Sequence, residues 1–313
     1  MRNAFIFCAG FLALSPASQQ PRQPEAQIRV DVELVNLFVT VRDRQGQPVG
    51  NLTQDDFRVF EDGRPQQLDY FARDTSLPLT VALLLDTSGS QRNLLAEEQA
   101  AAIRFLDSTL LPSDEAMVVT FDVAVSLPEN FTSDRAALER AVRRARIRMP
   151  EESKLSSGGS PGGTVLYDAI DRTCRLRLAG RRGRKALVII TDAEDTGSRT
   201  PREEALAIAQ RTDTILHFVL ITRRSGFGFG KQNEQTARKL ATETGGRVTT
   251  AAYAADLGPA FDQIAEELRS QYILGYTPSN RVRDGRWRKL RVETTRRGLR
   301  ALTRTGYYAP RNK

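Results

Sequence analysis

The run Val81-Ala82-Leu83-Leu84-Leu85 climbs without a polar break and stops in Asp86-Thr87-Ser88-Gly89-Ser90. A continuous apolar run of that length fits a parallel strand covered on both faces. In open α/β sheets, ligands bind just beyond the carboxyl ends of such strands. Asp86, Ser88 and Ser90 are then three oxygen-bearing side chains delivered to one crevice by one turn. A second apolar run, Leu187-Val188-Ile189-Ile190-Thr191, stops in the same way at Asp192. Between the two, Gly162-Gly163-Thr164 leads into a stretch of helical periodicity.

Strands and helices alternate through the middle of the chain, the pattern of an α/β fold with a doubly wound, mainly parallel sheet. Helices are expected over 93–110, 134–147, 164–178, 201–211, 234–244 and 257–269. Further strands are expected over 116–121 and 215–221, with 124–127 hairpinned at an edge. Residues 151–163 read as a Ser/Gly loop, and 226–230, with Phe227 and Phe229, as a flexible hairpin or the rim of a partner site.

The two ends of the chain alternate instead with period two. Val30, Val32 and Leu34 are followed by Leu37, Val39 and Val41, and the run 57–60 closes in Glu61-Asp62-Gly63, a hairpin turn signal. Near the other end, 272–276, 288–295 and 302–308 read as three strands. About 45 residues of N-terminal β structure are too few to bury a core alone. The N- and C-terminal segments are therefore expected to form one small β-rich unit, a sandwich flanking the central sheet. The expected organisation is a signal peptide at 1–17, a flexible leader at 18–27, an N-terminal β segment at 28–76, the α/β domain at 77–270 and a C-terminal β segment at 271–313.

Arg2 precedes an apolar stretch over 4–14, too short to span a bilayer, and small residues follow with spacing for cleavage after Ala17. This predicts export, periplasmic or secreted, with no transmembrane segment in the mature chain. Cleavage would remove Cys8 and leave Cys174 alone, a small apolar residue on a helix. The net charge is +8, but the arginines are scattered and no zinc-finger or aromatic-basic pattern accompanies them. A solvated surface, with no nucleic-acid partner, is the reading that fits.

Asp86, Ser88, Ser90, Thr164 and Asp192 all offer hard oxygen ligands, in a chain with a single histidine. Mg²⁺ favours such ligands and retains waters, and Mn²⁺ fits as well. The pattern resembles the metal-ion-dependent adhesion site (MIDAS) of von Willebrand factor type A domains. Asp86–Ser90 matches its Asp-x-Ser-x-Ser run, Thr164 its threonine and Asp192 its second aspartate. The resemblance covers 79–269 and implies a Rossmann-like fold. It also implies Ser88, Ser90 and Thr164 as direct ligands, and Asp86 and Asp192 as ligands acting directly or through water. One coordination position is then left for a carboxylate from a protein partner. The runs Leu52-Thr53-Gln54-Asp55-Asp56-Phe57, Glu61-Asp62-Gly63 and Gly306-Tyr307-Tyr308-Ala309-Pro310 resemble an exported bacterial VWFA-related family described from acidobacteria. Gln91 stands where methionine is common and Ala193 where Asp-Gly is usual, departures that bear on loop shape rather than on ligands.

Each residue also has a plainer reading. Asp86-Thr87-Ser88 can form an Asx turn, Thr164 can cap a helix, and Asp192 can belong to a turn. Glu194 and Asp195 read as solvated loop acids or as supports behind the ligands. An aspartic protease would need Asp-Thr-Gly, which Ser88 interrupts, and a matching second acid run. A serine hydrolase would need a base, for which His217, read as a satisfied interior or interface residue, is the sole candidate. A scaffold whose metal only stabilises the loops remains the competing non-enzymatic function.

Overall fold

The computed structural model describes residues 34–73, 77–147, 163–222 and 229–311. The chain divides into two units, Met1–Val32 and Glu33–Lys313, and every described residue belongs to the second. The expected signal peptide, the leader, the apolar positions before Leu34, residues 151–162 and residues 223–228 lie outside the described residues.

Four strands come first: β1 (Val35–Arg42), β2 (Phe57–Glu61), β3 (Arg64–Gln66) and β4 (Tyr70–Ala72). β2 and β3 form the expected hairpin, with Asp62 and Gly63 at φ of 49° and 80°. Two consecutive positive φ values define the turn type whose twist matches a hairpin. The central elements follow as β5 (Leu79–Asp86), α1 (Leu95–Thr109), β6 (Glu115–Phe121), β7 (Val125–Thr132) and α2 (Arg135–Arg144). Next come α3 (Leu166–Thr173), extended by a π-turn over Cys174–Leu178, then β8 (Arg184–Thr191), α4 (Arg202–Arg211) and β9 (Thr214–Ile221). They end with α5 (Phe229–Thr244), β10 (Val248–Ala251) and α6 (Ala254–Arg269). The chain closes with β11 (Tyr272–Tyr276), β12 (Trp287–Thr294), β13 (Arg300–Leu302) and β14 (Gly306–Tyr308).

The central sheet runs β10-β9-β8-β5-β6-β7, parallel except for β7. Every residue of β5, β8 and β9 is buried, which is why their sequences are apolar at consecutive rather than alternate positions. Val81, Leu83 and Leu85 pack with Phe105 of α1 and Phe261 and Ile264 of α6 on one face. Ala82 and Leu84 pack with Ile170 of α3, Ala205 of α4 and Leu240 of α5 on the other. Cys174 lies fully buried in that second cluster, its thiol pushed up to about 12 by burial, a packing residue as expected. From β5 the chain steps to β6 on one side and returns through β8 on the other. The carboxyl end of β5 is therefore the topological switch point, the place where such sheets bind ligands.

Each of two flanking antiparallel sheets mixes the two ends of the chain: β13-β1-β11-β4 and β14-β12-β2-β3. Leu37, Val39, Tyr272 and Leu274 of the first share one core with Phe57, Val59, Leu290 and Val292 of the second. These sheets join the centre at the amino ends of its strands. Thr305, between β13 and β14, donates its N–H to Glu243 O at the end of α5 (3.2 Å). Arg304 pairs with Asp213, just before β9.

Four local expectations change. The single strand expected over 302–308 is two strands in opposite sheets, because Arg304 turns toward Asp213 and Asn36 O between them. β10 was not anticipated. The helix expected from 234 begins at Phe229, so the hairpin reading of 226–230 fails for Phe229 and Gly230. β7 runs on through Pro128, which an edge strand tolerates because it lacks a partner for one row of donors. No helix among the described residues is long and apolar enough to cross a membrane.

Candidate metal centre

Asp86 is the last residue of β5 and is fully buried. Its Oδ1 accepts the Ser88 backbone N–H (2.9 Å) and its Oδ2 the Thr191 hydroxyl (2.6 Å). The first bond is an Asx turn, which folds the chain so that Ser88 and Ser90 stand side by side with hydroxyl oxygens 3.0 Å apart. Gln91, buried behind them, donates to Ser90 Oγ at 3.0 Å. The plain turn is thus present, and it sets the two serine hydroxyls side by side.

The second bond reflects strand register. β5 and β8 pair with Leu85 opposite Ile190, so Thr191 and Asp192 emerge next to Asp86. Thr191 Oγ1 also accepts the Ala193 N–H (3.0 Å), while Asp192 Oδ1 accepts that of Glu194 (3.1 Å). Ala193 lies at φ 58°, so the chain keeps a left-handed turn after the acid with no glycine there. The departure noted at this position leaves the turn in place.

Thr164 arrives on a third loop. Its N–H donates to Thr196 Oγ1 (3.0 Å), and its carbonyl accepts the N–H groups of Thr196 and Gly197 (3.0 Å each). A Cβ on Gly163 would lie 3.3 Å from Thr196 Oγ1, so the glycine permits this close approach. The helix cap is Val165, one residue on and without a capping side chain, so Thr164 does not cap α3. That role falls to Asp195, whose Oδ2 accepts the Tyr167 N–H (3.0 Å) and the Ser198 hydroxyl (2.5 Å). Asp195 thus supports the loop from behind.

Burial pushes the Asp86 carboxyl up to about 7, against the donors Ser88 and Thr191, and the nearby charge of Asp192 adds to the rise. A carboxylate held this way is costly unless a cation sits beside it. Among the described residues no three His, Cys, Asp or Glu gather as a metal cluster. The set is two carboxylates and three hydroxyls, an all-oxygen chemistry suited to a hard divalent ion. Direct hydrogen bonds join Asp86, Ser88 and Ser90, whereas Thr164 and Asp192 reach the same end of the sheet on their own loops.

His217 is 1% exposed in the middle of β9, and neither ring nitrogen has a hydrogen-bond partner. It is interior, as expected, but not satisfied; its Nδ1 stands 3.9 Å from Glu267 Oε2. Pairing places it level with Leu83, two strands from β5. At strand spacings of about 4.8 Å and rises of about 3.3 Å per residue, it is roughly 14 Å from Asp86, out of reach of Ser88 or Ser90 as a base.

Sequence reasoning missed Thr191 and Asp122. Asp122 ends the apolar run of β6 just as Asp86 and Asp192 end theirs, and that repetition was the available signal. No curated protein sequence matches the chain. Among solved structures, proximal thread matrix protein 1 from the mussel byssus is similar at 14% identity and a TM-score of 0.51, over 67% of this chain and 51% of that one. The chain thus spans about half the length of the mussel protein. BatB, a conserved hypothetical protein from Bacteroides thetaiotaomicron, is similar at 16% identity and a TM-score of 0.46, over 60% of this chain and 98% of that one. A von Willebrand factor type A protein from Catenulispora acidiphila is similar at 12% identity and a TM-score of 0.49, over 90% of this chain and 75% of that one. Residues 81–194, from the first apolar strand through the second acid, match the family profile described as von Willebrand factor type A domain. The chain carries a von Willebrand factor type A domain.

Proposed function

We propose that this is an exported, divalent-metal-dependent module that binds an acidic group on a partner protein. Asp86, Ser88, Ser90, Thr164 and Asp192 would hold the ion, Mg²⁺ or Mn²⁺. The observation that carries the reading is Asp86, a fully buried carboxylate pushed up to about 7 beside two paired hydroxyls. Such an arrangement is unfavourable by itself and favourable around a cation. The bound ion would supply a Lewis-acidic position for one carboxylate oxygen of the partner. Two aspartates balance its charge, so an incoming acid meets little net repulsion. Export rests on the N-terminal sequence alone.

Thermal unfolding with and without each ion tests the metal. Saturation at about 100-fold over the dissociation constant should stabilise the protein by about 2.7 kcal/mol. Zinc belongs among the ions tried, since the mussel protein has been solved with a zinc-occupied MIDAS motif. An unchanged metal response in Asp86→Ala would refute the assignment. For the partner, capture from an envelope fraction should vanish with EDTA and in Thr164→Ala. Capture that persists in both would favour the scaffold.

A further inference from the structure

Asp122 occupies the gap between two of the three crevice loops. It is 5% exposed and follows directly on β6. Thr87, the residue between Asp86 and Ser88, turns away from the hydroxyl pair and toward β6. Its N–H donates to Phe121 O (2.8 Å), and its hydroxyl contacts both Phe121 O (3.3 Å) and Asp122 Oδ2 (3.4 Å). On the other side, the Asp122 carbonyl accepts the Val165 N–H at 2.9 Å, fixing the residue next to Thr164. Asp122 Oδ1 accepts the Ala124 N–H (3.0 Å), and Asp122 N–H donates to Ala124 O (3.1 Å), locking the turn into β7.

Resting on the metal-site reading above, we infer that Asp122 is a positioning residue for the ion. It ties the serine turn to the threonine loop without ligating the ion itself. The reason is geometric. Ser88 and Ser90 are set by β5, while Thr164 enters from a separate loop. The contacts at the end of β6 fix the distance between the two. Asp122 Oδ1 holds the turn on which the Val165 bond depends, and Oδ2 holds Thr87. Groups behind metal ligands act in this way, and losing one typically weakens the metal by about 10–100-fold.

The test is Mn²⁺ binding by calorimetry on the full chain, with urea unfolding in EDTA as the measure of the fold. Asp122→Ala should weaken Mn²⁺ by at least about 10-fold. Asp122→Asn keeps an acceptor for Ala124 and a polar partner for Thr87, so it should stay within about threefold of wild type. Thr87→Val, nearly isosteric, should weaken Mn²⁺ with its urea midpoint in EDTA preserved, and should add little in the Asp122→Ala background. Equal affinity in wild type, Asp122→Ala and Thr87→Val would overturn the inference while leaving the metal site standing. An Asp122→Asn loss as large as that of Asp122→Ala would also overturn it, assigning the effect to charge. A wild-type chain that binds no Mn²⁺ would refute the site itself.

Discussion

Asp86 accepts hydrogen bonds on both oxygens, yet burial still outweighs the donors and holds its pKa at about 7, above the ordinary value of 3.8. Between those two values the folded, metal-free chain holds a proton that the unfolded chain has lost, so this group makes stability fall as pH rises through that window. The full effect is of the order of 4 kcal/mol. Asp86→Asn removes it. In EDTA, urea melts should therefore show the variant gaining on wild type as pH goes from about 4 to about 8. A difference that stays flat with pH would mean that Asp86 ionises as freely in the fold as outside it. Saturating Mn²⁺ should reverse the order, because only wild type keeps the carboxylate. Ala193 offers a second residue-scale test. A left-handed L-residue costs about 1–2 kcal/mol, while the buried methyl returns about 0.8 kcal/mol. Ala193→Gly should therefore be more stable by up to about 1 kcal/mol, and Ala193→Val, β-branched in the same turn, less stable than wild type. Chemical unfolding midpoints decide both. The serine turn was readable in the sequence because its chemistry is local, five consecutive residues after an apolar run. Thr191 was not, because a hydroxyl acquires such a role only once strand register places it beside another loop.

At the level of elements, legibility followed how much of a pattern each segment carries. β5, β8 and β9, buried on both faces, announce themselves as unbroken apolar runs. β10 is four residues, Val-Thr-Thr-Ala, too short to show a period. The last strand misled because 302–308 alternates well enough for one strand, while the backbone crosses between sheets at Thr303-Arg304-Thr305. Helix α3 lacks a capping side chain of its own and takes Asp195 from the loop after β8, an arrangement no local signature could reveal. That borrowed cap ties the threonine loop to the acid loop. Asp195→Ala should destabilise the chain by about 1–2 kcal/mol, the usual cost of a lost cap. Because the same loop positions Thr164, it should also weaken Mn²⁺, measured by calorimetry. A stability loss with unchanged affinity would show that the two loops are not coupled through Asp195.

Across the whole molecule, the sandwich joins the amino ends of the central strands and the candidate metal centre lies at their carboxyl ends. The joint is polar at its core. Glu267 of α6, 2% exposed, pairs with Arg42 on β1 and with Arg247 Nε (2.9 Å), beside the unbonded His217. Burial pushes Arg42 down to about 10 and His217 down to about 3; the two arginines further depress His217, which stays neutral near pH 7. Truncating the one acid leaves two half-buried guanidinium groups without their carboxylate, Arg247 keeping only Gln263 Oε1 (2.9 Å). Glu267→Ala should therefore cost roughly 3–5 kcal/mol, measured by urea unfolding at about pH 7.5. Arg42→Met combined with Glu267→Met should cost less than the sum of the two single changes, since an apolar replacement removes the desolvation penalty along with the pair. If Glu267 couples the sandwich to the central sheet, near-ultraviolet signals from the sandwich tyrosines and far-ultraviolet signals from the helices should lose their coincidence in Glu267→Ala, having melted together in wild type. A single shared transition in the variant would place the coupling elsewhere, in the Arg304–Asp213 and Thr305–Glu243 contacts.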